Sequence, residues 1–560
     1  MGIFNSDHHY DQKFNEVFHD VDLYLDNSGD FENPKRFHIN PSAVLGLLIT
    51  DTVNDWVVDG SLTFMYVPEE FIDSVTGQTS KTNTTGPEQA VIDNGNMLKN
   101  YQFRGDGFDL LRVMIVPKTT NDGSDPNAVL VDSNNMKWML SYVFSVYDIE
   151  DVNDISTLQG NSSGIVKCLR LKFHDVRYQM LRTANIEYST SIPKDTTFVP
   201  KFDSEIAKEQ GVMFTGDILR DIFNEVLAKK ENGGCEEFKT EESPEWDKGK
   251  SELFYTSPAQ YSADDDIDYV YSHHVGSKVL QGSPADLELN DLCLLHTNRP
   301  KKYGDIEPLV LTPISDLFKE AGKDSPGELQ KEHFFVTSLT DETPTNLYKA
   351  PIGGNGVDID LKSFKYGQII SYSFVDMAAV VNSEMFRTTP VYSVDIKKRE
   401  FNIEFKGNDI KSVKNVMAKS YISSLFKQAK DEDSFLPVLH KNKKDLNVFP
   451  TFSLNGNNLN VRQKNGLHNL LYTGLFQNAC ICFKTLGLTL RESGTFIGID
   501  RTDGSGDTDF SNKLYGQWFV VRVDHIFEAE GHVNMIYAIK LHRHKELKSK
   551  FEGLLDTNIV

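Results

Sequence analysis

Cysteine is scarce in this sequence, and its spacing is irregular. The chain of 560 residues has five cysteines, and no two of them form a C-x-x-C pair. They are Cys168, Cys235, Cys293, Cys480 and Cys482. An odd, scattered set argues against a disulfide framework and a zinc knuckle, because both need thiols at paired spacings. We therefore expect buried free thiols in a protein made in a reducing compartment.

Long apolar runs and excess positive charge are also absent. No run reaches about 18 apolar residues, and the stretch MGIFNSDHHYDQKF has no apolar core flanked by basic residues. We expect neither a membrane-spanning segment nor a secretory signal. The formal net charge is −23 at pH 7. Because an acidic surface repels phosphates, this charge argues against general nucleic-acid binding, although it equally serves solubility alone.

Signatures of catalysis are weak along the whole chain. GNSSG at 160–164 matches G-x-S-x-G in letters, but a strand pattern follows it where that motif needs a helix. RGD at 104–106 is a match of three residues, and its neighbouring glycines favour a loop. No H-E-x-x-H motif occurs. The sequence predicts no catalytic residue.

Metal-binding patterns are equally weak. The acidic run in SADDDIDY is better explained by a helix that begins after Ser262, because aspartates there complement the positive end of the helix dipole. DGSGDTD at 503–509 lacks the EF-hand spacing. His273 and His274 are adjacent, so on a helix they point about 100° apart. We predict no metal site and no cofactor.

The strand patterns predict a β-rich first region. A length of 560 residues corresponds to roughly three to four domains, and 39% hydrophobic residues are typical of a globular protein. From His38 to Phe173, short alternating strands with turn-rich joints indicate a barrel or a sandwich. The polar stretch from Pro68 to Asn100 is longer than ordinary connections, which favours a functional protrusion or a mobile loop.

A helix, a charged segment and a mixed region follow. TGDILRDIFNEVLAKK has apolar residues at helical spacing, with Thr215 as the N-cap. Residues 231–250 are highly charged and contain a Gly pair, which indicates a linker. SADDDIDYVYSHHV then predicts a helix and DLCLLHT a strand. Strands return from Leu361, around a predicted helix, GLHNLLYTGLFQNACICFKTLG, that would turn Cys480 and Cys482 to different sides.

The most regular pattern is the run from Leu514 to Arg543. Read with a period of two, one face of its first strand carries Phe519, Val521, Val523 and Phe527. One face of the returning strand carries Val533, Met535, Tyr537, Ile539 and Leu541. With Gly531 at a turn or bulge between them, these runs predict a half-buried antiparallel ribbon.

Several blocks of sequence occur in an order that resembles a known family. The closing blocks are SGTFIGIDR and KLYGQWFVVRVDHIFEAEGHVNMIYAIKLHR, where a strand with G-x-W-x-V precedes its hairpin partner. Earlier blocks are SAVLGLLITDTVNDWVVDGSLTF, GDILRDIFNEVL and CLLHTNRPKKYG. Together they resemble the baseplate central hub, or tail hub, proteins of contractile-tailed bacteriophages. The resemblance covers most of residues 38–545 and rests on the order of the blocks.

This resemblance implies a structural virion protein with no enzymatic activity. It implies a homotrimer in which each subunit supplies two tube-like β-barrels, so that three subunits present a six-fold ring. The ring would join the hexameric tail tube protein to the trimeric central spike protein. It would also form part of the DNA channel, through which DNA passes without specific binding. Baseplate wedge or peripheral proteins are further expected partners, and the protein would be assembled in the host cytoplasm.

Patterns and resemblance together give a mainly β, α+β fold. It has two tube-like antiparallel β-barrels with a helix each, and an intervening α+β domain. The predicted segments are an N-terminal arm at 1–35, a first barrel domain with helix at 36–230, a linker at 231–250, a middle domain at 251–358, a second barrel domain at 359–546 and a C-terminal tail at 547–560.

Aromatic residues are the candidates for contacts between subunits, because such residues dominate protein interfaces. We select Trp56, Trp518, Tyr515 and Phe527, and burial of the tryptophans in their own cores is the alternative. Two other functions stay open. A β-rich receptor-binding or adhesin protein is favoured by the tyrosines and polar loops, and a tail-associated cell-wall hydrolase would need a paired carboxylate or a metal constellation.

Overall fold

The computed structural model describes a defined part of the chain, and every structural statement here refers to it. The described residues are 10–14, 17–29, 34–53, 56–72, 87–118, 139–152, 166–190, 213–229, 234, 238, 240, 246, 252–253, 255–274, 293–297, 309–313, 332–336, 367–376, 389–395, 400–406, 479–501, 514, 516–528 and 531–539. Most strands among them belong to one branched sheet of 14 strands. This sheet has two parts, which we call the first sheet and the second sheet.

Six antiparallel strands form the first sheet. In spatial order they are β2 (Val17–Asp26), β6 (Asp109–Lys118), β7 (Leu140–Val152), β8 (Lys167–Asp175), β5 (Asp59–Tyr66) and β4 (Val44–Thr52). Two short strands, β1 (Tyr10–Phe14) and β3 (Phe37–His38), pair with the outer side of β2. A 3-10 turn, Pro41–Ala43, leads from β3 into β4.

Alternating apolar residues place one face of the first sheet in a common core. Phe64, Phe144 and Phe173 are fully buried there. The outermost strands, β2 and β4, contribute Leu25 and Ile49 to the same core. A flat sheet could not bring both outer strands to one core, so the first sheet is strongly curved.

Helix α1 (Pro87–Asn100) covers one end of the first sheet. Its residues Val91 and Ile92 pack with Val67, which follows β5. Gly95 allows this approach, because a Cβ there would lie 2.3 Å from the carbonyl oxygen of Val67. The predicted long loop at 68–100 is therefore wrong for its last fourteen residues. The helix is polar overall and has only a narrow apolar stripe, which is too weak a pattern to predict a helix from sequence. The stripe is the side that packs on the sheet.

Six strands also form the second sheet. In spatial order they are β13 (Glu332–Val336), β18 (Phe496–Arg501), β19 (Gly516–Glu528), β20 (Gly531–Ile539), β17 (Ala479–Leu486) and β14 (Ser371–Asp376). All neighbours are antiparallel except β13 and β18. The rings of Phe334 on β13 and Phe483 on β17 lie 4.9 Å apart, so this sheet also curves around its own core.

Strand β19 belongs to both sheets. Its first residues pair with β18, and its residues 522–528 pair with residues 46–52 of β4. A β-bulge between Val520 and Arg522 lies where the partner changes, and a bulge bends its strand and re-aims the side chains. The mainly β prediction is confirmed, but the path of hydrogen-bonded strands in the described ranges does not close on itself.

Helices form a third core beside the first sheet. They are α2 (Val176–Thr183), α3 (Thr215–Phe223), which continues as a π-helical turn at Asn224–Ala228, and α4 (Ala263–Ser272). A hairpin of β11 (Cys293–Thr297) and β12 (Leu309–Pro313) packs on them. The core is thus shared by the predicted first and middle regions.

The start of α4 agrees with the sequence prediction. Ser262 is the N-cap, its Oγ accepts from the backbone N–H of Asp265 at 3.2 Å, and the Asp265 carboxylate accepts from the Ser262 N–H at 3.0 Å. This capping box satisfies two helix-end donors at once. Thr215 is different: α3 begins at Thr215 itself, with Phe214 as N-cap, and its hydroxyl bonds to Nδ1 of His274 at 2.9 Å.

The predicted arm and linker both contribute to the interior. Strand β2 lies inside the predicted arm at 1–35, yet it pairs along its length with β6 and buries Leu23. In the predicted linker at 231–250, Phe238 and Trp246 are fully buried in the third core. The linker prediction rested on the charged composition of the whole segment. Burial is decided residue by residue, so two aromatic side chains can enter the core although their neighbours are charged.

The remaining described strands form two separate antiparallel pairs. They are β9 (Met213–Phe214) with β10 (Glu252–Leu253), and β15 (Thr389–Asp395) with β16 (Glu400–Lys406). The start of the helix predicted from GLHNLLYTGLFQNACICFKTLG, at 466–478, lies outside the described residues. Its end is strand β17, so Cys480 and Cys482 share one face, and the helical prediction there is wrong.

Candidate functional site

The two faces of the first sheet differ in chemistry. One faces the core, and the opposite one, which we call the polar face, carries hydroxyls and charges in cross-strand register. Ser61 on β5 is opposite Lys172 on β8, and Lys172 is opposite Asp148 on β7. One step along, Thr63 is opposite Arg170, which is opposite Glu150. Directly opposite residues are neighbours in an antiparallel sheet, so these rows bring opposite charges together.

Ion pairs connect the charges of the polar face. The ammonium of Lys172 lies 2.9 Å from Asp148 and 2.5 Å from Glu150, and Arg170 lies 3.5 Å from Glu150. Hydrogen bonds from Lys172 lower the pKa of Asp148, and the two carboxylates raise the pKa of Lys172. These side chains are between 36% and 42% exposed, so water screens the pairs. The ladder leaves the face hydrated but close to locally neutral.

An aromatic stack borders this ladder. The ring of Tyr147, at the bulge of β7, stacks on His174 with centroids 4.7 Å apart, and Tyr178 meets His174 edge-on at 5.0 Å. Tyr147 is 51% exposed. Burial lowers the pKa of His174, although the hydrogen bond that its Nε2 donates to Oε1 of Gln179 opposes this shift. The three rings therefore form an aromatic border at the edge of the charged polar face.

The corresponding face of the second sheet combines thiols with charges. Cys482 is opposite Tyr537 of β20, and Cys480 is opposite Ile539. Lys484 of β17 lies on the same face, as do Arg522 and Asp524 of β19, which pair with each other. Burial raises the pKa of both thiols, which keeps them protonated. Burial also raises the pKa of Tyr537 to about 12. This face continues to the edge strand β14, where Ser373 is opposite Cys482.

Strand β14 exposes apolar side chains at the edge of the second sheet. Ile370, Tyr372 and Val375 are 53%, 44% and 45% exposed. Among the described strands, β14 pairs only with β17, so it is the edge of the second sheet in the part of the chain that the structure describes. An open edge with apolar side chains is a surface on which another chain can pack.

The four aromatic residues selected from the sequence have different positions. Trp56 is buried in the third core between Tyr178 and Phe223. Trp518 is fully buried in the second core, and its Nε1 donates to the carbonyl oxygen of Leu514 at 2.9 Å. Phe527 is buried in the core of the first sheet. Tyr515 lies outside the described residues, and a contact of any of the four with another subunit stays a prediction.

The carboxylates predicted to cap α4 act as structural anchors. Asp266 is fully buried, and its oxygens accept hydrogen bonds from the hydroxyls of Tyr255 and Ser257. Burial raises the pKa of Asp266, and burial with repulsion from Asp268 raises the pKa of Asp264 to about 6. In the part of the chain that the structure describes, no group of three His, Cys, Asp or Glu side chains is arranged to hold a metal ion.

Two further sequence features have structural explanations. Arg104 and Asp106 of the RGD match pair with each other at 2.7 Å in a turn whose Gly105 and Gly107 have positive φ. A cavity of about 520 Å³ behind this turn is mainly apolar, and Phe108 is among its lining residues. No helix within the described ranges is long and apolar enough to cross a membrane.

Comparisons with known proteins give structural similarity only. No family model and no curated sequence matches the chain. The 43 kDa tail protein of prophage MuSo2 from Shewanella oneidensis is 9% identical with a TM-score of 0.39, over 93% of this chain and 98% of that chain. A tail protein from Neisseria meningitidis MC58 is 8% identical with a TM-score of 0.40, over 93% and 96%.

A third similar structure comes from a larger assembly. It is the lidded PdpA–VgrG complex of Francisella, which is 9% identical with a TM-score of 0.41. The similarity covers 94% of this chain and 53% of that chain. These three similar structures are therefore a prophage tail protein, a tail protein from Neisseria meningitidis and a VgrG-containing complex.

Proposed function

We propose that this protein is a structural subunit of a phage tail baseplate, in which three copies form the central hub. The carrying observation is the pair of curved six-stranded sheets in one chain, each around its own core and joined through β19. Three such chains would present six curved sheets around an axis. Such a ring is suited to join a hexameric tube to a trimeric spike, as the sequence resemblance also implies.

The continuity of the two sheets supports this proposal. Seven consecutive residues of β19 pair with β4, and the carboxylate of Asp51 on β4 accepts from the hydroxyl of Ser493 at 3.0 Å. Hydrogen bonds along a whole strand resist sliding and hinge motion between the sheets. A subunit built this way can hold two neighbouring positions of a ring at a fixed angle.

In this proposal, the polar face of the first sheet lines the DNA channel. Its lysine and arginine are paired with carboxylates, which reduces the counterion release that drives binding to phosphates. The paired charges keep the face hydrated. DNA would then pass without specific binding, and the net charge of −23 would add to the repulsion.

We further propose that the exposed edge of β14 contributes to the contact between subunits. Trp56, Trp518 and Phe527 would support that contact from inside each subunit, and Tyr515 would take part in it. Tail tube protein, central spike protein and wedge proteins would bind the two ends and the periphery of the ring. The location that follows is the virion, in the tail baseplate.

Mass and shape test this function together. Native mass spectrometry of the purified protein should give about 190 kDa, three times 63.4 kDa. Negative-stain electron microscopy should show a ring with a central hole. A monomer at every concentration, or a compact trimer without a hole, would contradict the hub. Clearing of bacterial cell wall in a zymogram would instead support the hydrolase.

A further inference from the structure

A buried hydrogen-bond network lies where the two sheets join. It connects the hairpin of β19 and β20 to residues 487–495, which we call the bridging loop and which leads from β17 to β18. His525, His532 and Asn534 in this network are 0% exposed, and Arg491 of the bridging loop is 4% exposed. Polar groups buried this deeply are costly unless their hydrogen bonds are made.

The amide of Asn534 has a fixed orientation. Its Oδ1 accepts from the backbone N–H of Leu488 at 2.7 Å and from Nη1 of Arg491 at 3.0 Å. Both of these groups are donors only, so the atom that faces them must be the amide oxygen. The Nδ2 of Asn534 therefore points toward Nδ1 of His525, at 3.0 Å.

The orientation of this amide determines the proton on His525. Its Nε2 lies 3.1 Å from the carbonyl oxygen of Arg491, which accepts, so Nε2 carries the hydrogen. Its Nδ1 faces an amide N–H and must therefore be an acceptor. Only the neutral imidazole satisfies both contacts. If Nδ1 took up a proton, two donors would face each other at hydrogen-bond distance.

We propose that His525 and Asn534 form an acid-sensitive lock between the two sheets. Protonation of His525 would favour the opposite orientation of the Asn534 amide, with Oδ1 toward the imidazolium. That orientation turns Nδ2 toward Leu488 and Arg491, and both of their hydrogen bonds are lost. Residues 488–491 of the bridging loop are then released from the hairpin, while Gly494 and Thr495 remain hydrogen-bonded to Val520.

Release of the bridging loop weakens the junction because the same loop is held by the first sheet. Ser493 donates to Asp51 of β4 through its hydroxyl and its backbone N–H. Gly487 donates to the carbonyl oxygen of His532 at 2.7 Å. A Cβ at Gly487 would lie 2.3 Å from the His532 ring, so the loop fits closely only in its present position.

Other titratable and charged groups surround the network. His532 of β20 stacks on His525 with centroids 5.6 Å apart, and its Nε2 lies 3.4 Å from both Nδ1 of His525 and Nδ2 of Asn534. His19 of β2 meets His532 edge-on at 6.4 Å. Arg491 brings a positive charge, and Asp51 of β4 accepts from the loop. Asp524, on the opposite face of β19, pairs with Arg522 at 2.6 Å. The inference rests on the 3.0 Å contact of Nδ1 of His525 with Nδ2 of Asn534, which is shorter than its 3.4 Å contact with His532. It does not depend on the proposed function.

Hydrogen exchange read by mass spectrometry tests the lock in the full chain. Between about pH 7.5 and about pH 5.5, where histidine takes up a proton, protection of residues 487–495 should fall by about tenfold after correction for intrinsic rates. His525→Gln can still donate to the Arg491 carbonyl but does not titrate, and it should abolish this fall. His273→Gln, away from the junction, is the matched control and should retain it.

A second variant distinguishes the lock from general acid destabilisation. In Asn534→Asp, a carboxylate accepts from Leu488 and Arg491 and also from protonated His525. Protection of 487–495 should then rise on acidification, opposite to the wild type. The proposal is overturned if wild-type protection is unchanged over this pH interval, or if Asn534→Asp loses protection as the wild type does. His525→Gln should abolish the pH dependence of protection and Asn534→Asp should reverse it. Each variant therefore tests the lock by itself if the other fails to fold.

Discussion

The two curved sheets have the same number of strands but place polarity differently. The first sheet has an apolar interior and a charged outer face, with Lys172 and its carboxylate partners in the ladder. On the outer face of the second sheet, Cys482 and Tyr537 lie beside the ion pair of Arg522 with Asp524. Its interior, beside the junction, carries the hydrogen-bonded pair of His525 and Asn534. In the proposed hub, the first sheet faces water and the second contacts protein.

The largest expected effect tests whether β19 completes the first sheet. Phe527→Ala removes a ring that is 2% exposed and packs in the first core although it belongs to the closing hairpin. We expect a loss of about 3–5 kcal/mol in the free energy of unfolding, because transfer and cavity costs add. Urea unfolding followed by tryptophan fluorescence measures it. Ile149→Ala, at an exposed position, is the control. Equal losses of stability in both variants would show that the Phe527 ring of β19 does not stabilise the first core.

The curvature of the first sheet gives the next prediction. A Cβ at Gly60 would lie 2.0 Å from the carbonyl oxygen of Leu48, whereas at Gly46 the nearest atom would be 3.8 Å away. Gly60→Ala should therefore destabilise the protein by about 1–3 kcal/mol, the usual cost of overpacking. Thermal unfolding compares it with Gly46→Ala, which should change little. If the two variants unfold alike, close approach at Gly60 does not set the curvature.

The exposed edge of the second sheet can be tested through assembly. Val375→Glu places a charge on an apolar edge residue, and it should weaken the proposed trimer at least about tenfold, or 1.4 kcal/mol. Mass photometry over a dilution series measures the trimer fraction. Tyr147→Glu makes a similar change on the first sheet and should leave assembly intact. If only Tyr147→Glu weakened the trimer, the contact between subunits would lie on the first sheet and not on the second.

The smallest effect is expected on the polar face. Lys172→Met removes the shared cation of the ladder, and its exposed position predicts little change in stability near neutral pH. The lowered pKa of Asp148 means that its contribution is present above its unfolded pKa and is lost as the pH falls through the folded one. Unfolding at several pH values should therefore show the two proteins converging in acid. A large loss at neutral pH would show that the ladder holds the first sheet together.

Local patterns predicted part of the fold well. The capping box of α4, strand β11 and the pairing of β19 with β20 follow from cap chemistry and alternation, which act between near neighbours. The buried face of β20 was predicted one residue out of phase. His532 and Asn534 face inward and are fully buried, while Met535 and Tyr537 are half-buried. From the sequence alone, polar residues are predicted to be exposed, because the distant hydrogen-bond partners that allow their burial are not known.

The proposed contact surfaces show the same limit. Trp56, Trp518 and Phe527 were selected because large aromatic residues favour interfaces, yet each fills a core of its own chain. The exposed residues of β14 have no distinguishing sequence pattern, since Tyr372 and Val375 are three residues apart and lie on opposite faces of the strand. Which strand becomes the edge of a sheet depends on the order of pairing, and local sequence does not encode that order.

The pairing of β4 with β19 also has a consequence for synthesis. The hydroxyl of Thr52 donates to the carbonyl oxygen of Val521 at 3.3 Å, although 469 residues separate them. A nascent chain therefore carries β4 with an unoccupied side for most of the time that the ribosome needs to translate it. During that interval, exchange of strands between neighbouring polysomal chains competes with correct completion. Fast translation of the rest of the chain, or holdase chaperones bound to this early segment, would favour the native product.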